Sequence, residues 1–359
     1  MSQFKEGGDN NCYSRVLEFD FIRCVACLAV VVLHVTSPFA LNEPKFSYSW
    51  TTSLALTSST RLAVPLFVMI SGYFLLRKPY PDDEFLTFYR KRLSIVALPL
   101  LFWVLFYFAF DVAIQALGSS GLNVDFFTSY FVAALKDGKA GSGHHLWYLY
   151  MLLGLYLATP FVAVWFQAFS RKRLIFATVF LTLAVELCAI ASEALDLTGS
   201  SIFTRFLFYL PYFLLGKILG DALLETPRPR LAWCGFAGYL LATLNIALVY
   251  SLTDDTFVFS NHSPLVYAQA ICFYVAVLSW KSNPALKFPN AVQYLASLSF
   301  GAYLAHMFFL TILRVLSERL NVSAAYPVAS ICILTVLVYF FSNLTTFVIK
   351  KIPYLRRVV

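Results

Sequence analysis

Apolar residues fall into ten blocks along the chain, at 16–37, 56–76, 93–117, 145–166, 174–191, 203–219, 231–250, 265–280, 292–316 and 324–348. A helix needs roughly 20 predominantly apolar residues to cross a bilayer, so most blocks suffice and a few are somewhat short. The interruptions carry turn chemistry, as at Pro79-Tyr80-Pro81, Pro227-Arg228-Pro229 and Gly118 to Gly121. The pattern predicts an all-α, polytopic membrane protein with about ten transmembrane helices. A leader at 1–15 precedes a single helical domain at 16–350, and a short basic tail at 351–359 follows it. There is no internal repeat and no polar stretch long enough for a second domain. The first block carries Asp20 and Arg23 near its start and lacks the small-residue cleavage pattern of a secretory signal, so it reads as an uncleaved span.

Composition agrees. Of 359 residues, 60% are apolar and only 13% charged, against roughly a quarter charged in soluble domains. So few charges cannot clothe a water-facing surface. The net charge of +8 would suit a nucleic acid, but its distribution argues against that partner. Of the 27 Lys and Arg residues, 19 fall on the side of the amino terminus, including Arg77, Lys78, Arg90 to Arg92, Arg171 to Arg173, Lys350 and Lys351. Seven fall on the other side: Lys45, Arg61, Lys136, Lys139, Arg205, Arg314 and Arg319. The positive-inside rule then places both termini in the cytoplasm and the bilayer around an even number of spans. The seven cysteines lie mostly in apolar blocks, where they behave as small hydrophobes. Cys24 and Cys27 have redox or metal spacing but no second pair, and no metal site is expected.

Ionisable residues inside spans are costly and are functional candidates by default. The first block holds Asp20, Arg23 and His34. Arg23 and His34 are 11 residues apart, which returns them to nearly one helix face about 16 Å apart along the axis. Asp20 is placed to pair with Arg23. The plainer reading is an arginine snorkelling to the interface and a histidine at the outer helix end. Arg61 opens a block containing Pro65, Ser71 and Gly72, features common to many spans. His145 and Trp147 open the fourth block as an interfacial aromatic belt would, and His144 has no better claim. In the ninth block Ser299, Tyr303 and His306 share one face. His34, His145 and His306 all fall in the outer half, whereas Arg23 and the cluster Arg90-Lys91-Arg92 lie at the inner end. This suits an anionic cytosolic donor whose reactive end travels into the membrane.

Five stretches carry a resemblance: FDFIRCVACLAVVVLH, RLAVPLFVMISGYFLL, HLWYLYMLLGLYLATP, YLPYFLLGKILG and SLSFGAYLAH. In this order they resemble the acyltransferase 3 family of membrane O-acyltransferases, and are most similar to its stand-alone members of the enterobacterial common antigen O-acetyltransferase type. The chain offers no room for the extra esterase-like domain of some members. The resemblance implies a bacterial inner-membrane enzyme that moves an acetyl group from acetyl-CoA to a hydroxyl of a surface glycan or its lipid-linked precursor. No permanently bound cofactor is expected. The oligomeric state has no signature in the sequence. The resemblance nominates Arg23 and His34 as the first-span pair, with His306 and Tyr303 beside them in catalysis. Arg23, Arg90, Lys91, Arg92 and Ser71 would hold the donor, and Arg61, His145 and Trp147 the acceptor. Members often carry two arginines three apart at the start of the third span; here Ile95 stands where the second is expected. The competing reading is a transporter or flippase of a glycan or glycolipid, in which the same charges line a path.

Overall fold

All ten apolar blocks are helical in the computed structural model, which describes residues 16–117, 124–195, 202–224, 228–280, 288–320 and 327–359. The leader at 1–15, the run from Gly118 to Gly121, and Lys281 and Lys287 lie outside the described residues. The helices are α1 (Leu17–Asn42), α2 (Tyr48–Ser59), α3 (Ala63–Leu75), α4 (Asp82–Leu117), α5 (Val124–Asp137) and α6 (Trp147–Ala168). They are followed by α7 (Arg171–Ala194), α8 (Leu210–Leu224), α9 (Pro229–Thr253), α10 (Pro264–Leu278), α11 (Pro289–Arg319) and α12 (Pro327–Lys351). Among the described residues, nine helical stretches are long and apolar enough to cross a membrane. The one block left over, 265–280, is α10, which has 15 residues. The protein is an all-α polytopic membrane protein.

Proline and small residues punctuate this architecture. Pro229, Pro264 and Pro289 open α9, α10 and α11, where the missing N–H would have had no intrahelical partner. The second block is not one helix but two, α2 and α3, broken at Thr60–Leu62. Pro65 therefore sits in the first turn of α3, where it costs no backbone bond, rather than bending a continuous span. A Cβ on Gly72 would land on the Phe213 carbonyl, and one on Gly216 on the Met69 carbonyl. These reciprocal glycines let α3 and α8 touch backbone to backbone, the small-residue packing used between membrane helices.

Helix α1 is central, packing against α2, α3, α11 and α12. Its Cys24 and Cys27 thiols each donate to a backbone carbonyl of α11, at Val292 and Ser299, and so serve helix packing. Helix α5 was not anticipated. Its 14 residues are too few to span a bilayer. The expected tail is ordered at its end: Leu355–Val358 forms a 3-10 turn, and the Trp103 indole donates to the Val358 carbonyl at 2.9 Å.

Candidate active site

Three elements bring four of the five histidines together. Helix α1 supplies His34, α11 supplies His306, and a 3-10 turn at Gly141–Leu146 supplies His144 and His145. Ring centroids lie 5.2 Å apart for His34 and His306, 5.5 Å for His34 and His144, and 4.8 Å for His145 and His306. Local chemistry fixes each element. Pro38 stands four residues after His34 and cannot donate to its carbonyl. The Arg314 guanidinium donates there instead, at 3.1 Å. The turn is gathered by Asp111 of α4, whose carboxylate accepts from the Ser142 N–H at 2.9 Å and the Ser142 hydroxyl at 2.6 Å. Gly141 has φ +46°, and a Cβ there would strike the Asp111 carboxylate. His144 Nδ1 lies 3.3 Å from the Gly141 carbonyl.

Hydrogen bonds at the rear of the cluster set its tautomers. A carbonyl only accepts, so each ring nitrogen facing one carries the proton. His306 Nδ1 is 2.5 Å from the Tyr303 carbonyl, and its buried Nε2 has no hydrogen-bond partner. His145 Nε2 is 3.2 Å from the Leu304 carbonyl, which leaves Nδ1 without one. The Tyr303 hydroxyl donates to the His145 carbonyl at 2.5 Å. Tyr107 of α4 inserts into α11, donating to the Leu304 carbonyl at 2.8 Å and accepting from the Phe308 N–H at 3.2 Å. A side chain set into the i→i−4 ladder in this way holds a helix locally open. The outcome is an imidazole, His306, with a free lone pair beside the His34 ring.

Below the cluster a cavity of about 400 Å³ runs from Arg23 and Arg92 to Ser299 and Tyr303, passing Ser71 and Tyr148. Phe74 and Arg92 also line a second cavity of about 490 Å³, whose cations are Arg77, Lys78, Lys91 and Arg92. Together they form a basic vestibule leading to a mostly apolar chamber that ends at Tyr303, one helical turn short of His306. Arg23 is held by Asp20 at 3.1 Å, and its guanidinium lies over Phe74 at 5.4 Å.

Most of the residues expected from the sequence converge here. Arg23, Ser71, Arg92 and Tyr303 line the central cavity and Lys91 the vestibule. Arg90 lines neither and is exposed, since three successive helical residues cannot share one face. Ile95 lines the chamber beside Arg92. Arg61 sits nearer the His34 end: its guanidinium lies 4.3 Å over the Phe259 ring and 3.5 Å from the Ser37 hydroxyl. Trp147 is stacked 5.5 Å from the Arg205 guanidinium. His145 is buried and bonded to α11, a placement that suits holding the cluster more than touching a ligand. The sequence reading passed over Asp111, His144, Tyr107, Arg314, Arg77 and Lys78. Of these, Asp111 carried a usable signal, a carboxylate within a span. Among the described residues no three His, Cys, Asp or Glu side chains converge as metal ligands.

Comparison with known proteins identifies the family. The family profile of an acyltransferase domain, that of acyltransferase 3, matches residues 16–346. A Bacillus subtilis protein, YfiQ, named by inference as a membrane-bound acyltransferase, is 24% identical over 330 residues, covering 87% of this chain and 86% of its own. No solved structure matches the chain. With the profile matching nearly its whole length, the chain belongs to the acyltransferase 3 family and is a membrane acyltransferase.

Proposed function

We propose that the protein transfers an acetyl group from acetyl-CoA to a hydroxyl of a surface polysaccharide or its lipid-linked precursor across the bacterial inner membrane. The observation that carries this reading is the continuity of a basic vestibule with a chamber that stops beneath the histidine cluster. Positive-inside orientation puts the vestibule in the cytoplasm, where acetyl-CoA is found. Its phosphates rest on Arg77, Lys78, Lys91 and Arg92, with Arg23 at the chamber's entrance, through charge-assisted hydrogen bonds. The pantetheine arm lies in the chamber past Ser71, and the thioester reaches Tyr303.

The acceptor approaches His34 from the opposite face, beside Arg61 and Trp147. Neutral His34 takes the proton of the acceptor hydroxyl as its oxygen attacks the thioester carbonyl. A C–O bond forms and the C–S bond breaks. The departing thiolate receives a proton relayed through His306, giving the acetyl ester and CoA thiol. The Tyr303 hydroxyl, at the end of the chamber, would turn from the His145 carbonyl to the developing oxyanion.

The test is mass spectrometry of surface glycans from cells with and without the gene. Acetyl groups should vanish on deletion, return with the parent gene, and fail to return with His34→Ala at equal protein level. Losing an acid–base group is expected to cost about 10²–10⁴ in rate. Full restoration by His34→Ala would remove His34 from the chemistry, and unchanged glycans on deletion would remove the reaction.

A further inference from the structure

The largest cavity described lies outside the path just assigned. A groove of about 780 Å³ opens between α4, α5 and α6, lined by side chains such as Leu105, Phe108, Phe131, Leu157, Phe161 and Phe203, and no charged residue lines it. It follows α6 from Tyr150 to Phe161, which at 1.5 Å per residue is about 16 Å of depth. That is close to half of a hydrocarbon core about 30 Å thick. Phe131, Leu157, Phe161 and Phe203 are each more than half exposed, so the groove is open sideways to the bilayer.

Two further observations tie the groove to the site. Val104, Tyr130, Ala134 and Tyr150 line both the groove and a small cavity whose other wall is Gly138, Ala140, Gly143 and Leu146. That wall is the segment carrying His144 and His145. It is kept thin by Gly138 (φ +67°), where a Cβ would run into Tyr150 and Ile202, two residues lining the groove. The second observation is charge. Under the orientation above, the outer side holds seven basic residues, and two of them, Lys136 and Lys139, flank the stretch from Ala134, which lines the groove, to Gly138, which lines the small cavity. The Ile202 N–H donates to the Lys136 carbonyl at 3.2 Å, which joins the end of α5 to the groove wall at Ile202, Phe203 and Phe206. Lys136 and Lys139 are exposed. Two lysines this close together at the outer end of the groove, where the positive-inside bias disfavours cations, suit a negatively charged head group.

We propose that this groove holds the hydrocarbon chain of a phosphate-bearing lipid that carries the acceptor sugar. The chain lies along α6, the phosphate rests at Lys136 and Lys139, and the sugar is presented to His144 and His34. The proposal rests on the acetyl-transfer reading and commits it to a lipid-linked acceptor.

The test uses the full chain in phosphatidylethanolamine nanodiscs with a diazirine-bearing isoprenoid phosphate as probe. Photo-adducts should map to α5 and to 150–161 of α6, and should be displaced by unlabelled isoprenoid phosphate but not by equal phosphatidylglycerol. Ala158→Trp, which fills the groove, should cut labelling by about tenfold or more, with acetyl-CoA binding as the control for folding. Lys136→Glu with Lys139→Glu should weaken labelling by the phosphate but not by the corresponding isoprenoid alcohol. Equal displacement by phosphatidylglycerol would make the occupant ordinary membrane lipid and overturn the proposal. So would adducts that survive Ala158→Trp. Labelling needs no acetyl-CoA, so its loss leaves acetyl transfer standing. Saturable labelling in a protein that never releases CoA with a lipid-linked acceptor would keep the groove and remove the transfer reading.

Discussion

Replacing Asp111 separates the histidine turn from the donor path. Its carboxylate accepts two hydrogen bonds from Ser142 and is the side chain that ties the 3-10 turn to α4. A hydrogen bond to a charged group contributes roughly 1.5–3 kcal/mol. Asp111→Ala loses both and leaves the Ser142 N–H without its acceptor, so a cost of about 2–4 kcal/mol in stability is expected. The turn carries one imidazole 5.5 Å from His34 and another 4.8 Å from His306. A misplacement of about 1 Å in a reacting constellation can cost 10²-fold. We therefore expect kcat to fall by about 10- to 100-fold.

No residue of the turn lines the central cavity or the vestibule, so the KM for acetyl-CoA should stay within about twofold. Asp111→Asn keeps an oxygen for the Ser142 N–H and offers its amide to the Ser142 hydroxyl. It should recover most of kcat, which a purely electrostatic role would not allow. The assay is CoA release by purified protein with acceptor present, with kcat and KM measured separately and thermal melting alongside. Asp111→Ala with parental kcat, or with a raised KM and unchanged kcat, would refute the reasoning. If the alanine variant does not fold, the asparagine variant and Ser142→Ala, which loses one of the two bonds, carry the test.

Other consequences can be checked directly. Arg23→Ala and Arg92→Ala should each raise the KM for acetyl-CoA by roughly 10- to 100-fold, the loss of one charge-assisted contact, and unchanged binding of acetyl-CoA by calorimetry would count against the vestibule. Gly72→Ala should cost about 1–3 kcal/mol or more through the overpacked contact with the Phe213 carbonyl, read as a lowered melting temperature. His262, in the loop before α10, is held down to about 4 by burial and by the charge of Arg205, against an unperturbed value near 6.5. The unfolded chain therefore binds that proton first, so its contribution is complete above pH 6.5 and is lost as the pH falls toward 4. His262→Gln should flatten the acid side of the melting profile, and an unchanged profile would contradict the assignment.

The spans were legible because lipid leaves the chain little choice: an apolar run of sufficient length must close its hydrogen bonds internally, and a helix does so. The break between α2 and α3 was not legible. It falls at Thr60-Arg61-Leu62, just where Pro65 can offer no N–H to the Arg61 carbonyl, and a proline signal alone does not distinguish a bend from a break. The placement of Arg23 at the cavity and His34 in the cluster follows a spacing legible in the sequence, because both lie on one helix with fixed geometry. Arg90 lies off both cavities where Lys91 and Arg92 line them, since successive helical residues point about 100° apart. Arg77 and Lys78 reach the vestibule through the turn between α3 and α4, and no periodicity describes that turn. The division of His144 and His145 between His34 and His306 follows from the 3-10 turn, which depends on a carboxylate 31 residues away in the chain.

On the proposed reading, Tyr303 explains how a cytoplasmic donor and an outer acceptor can meet without an open channel. The central cavity ends at its ring, and both of its polar ends are occupied. The carbonyl accepts from His306 and the hydroxyl donates to the His145 carbonyl. The residue that closes the donor side is thus bonded to two of the histidines it shields. A thioester that draws the Tyr303 hydroxyl toward its own carbonyl exchanges one hydrogen bond for another. Each is worth roughly 0.5–1.5 kcal/mol, so the exchange is nearly neutral and binding alone can drive it. The same movement frees the His145 carbonyl and loosens the turn that carries His144. Donor arrival is in this way felt at the acceptor side before any bond is made.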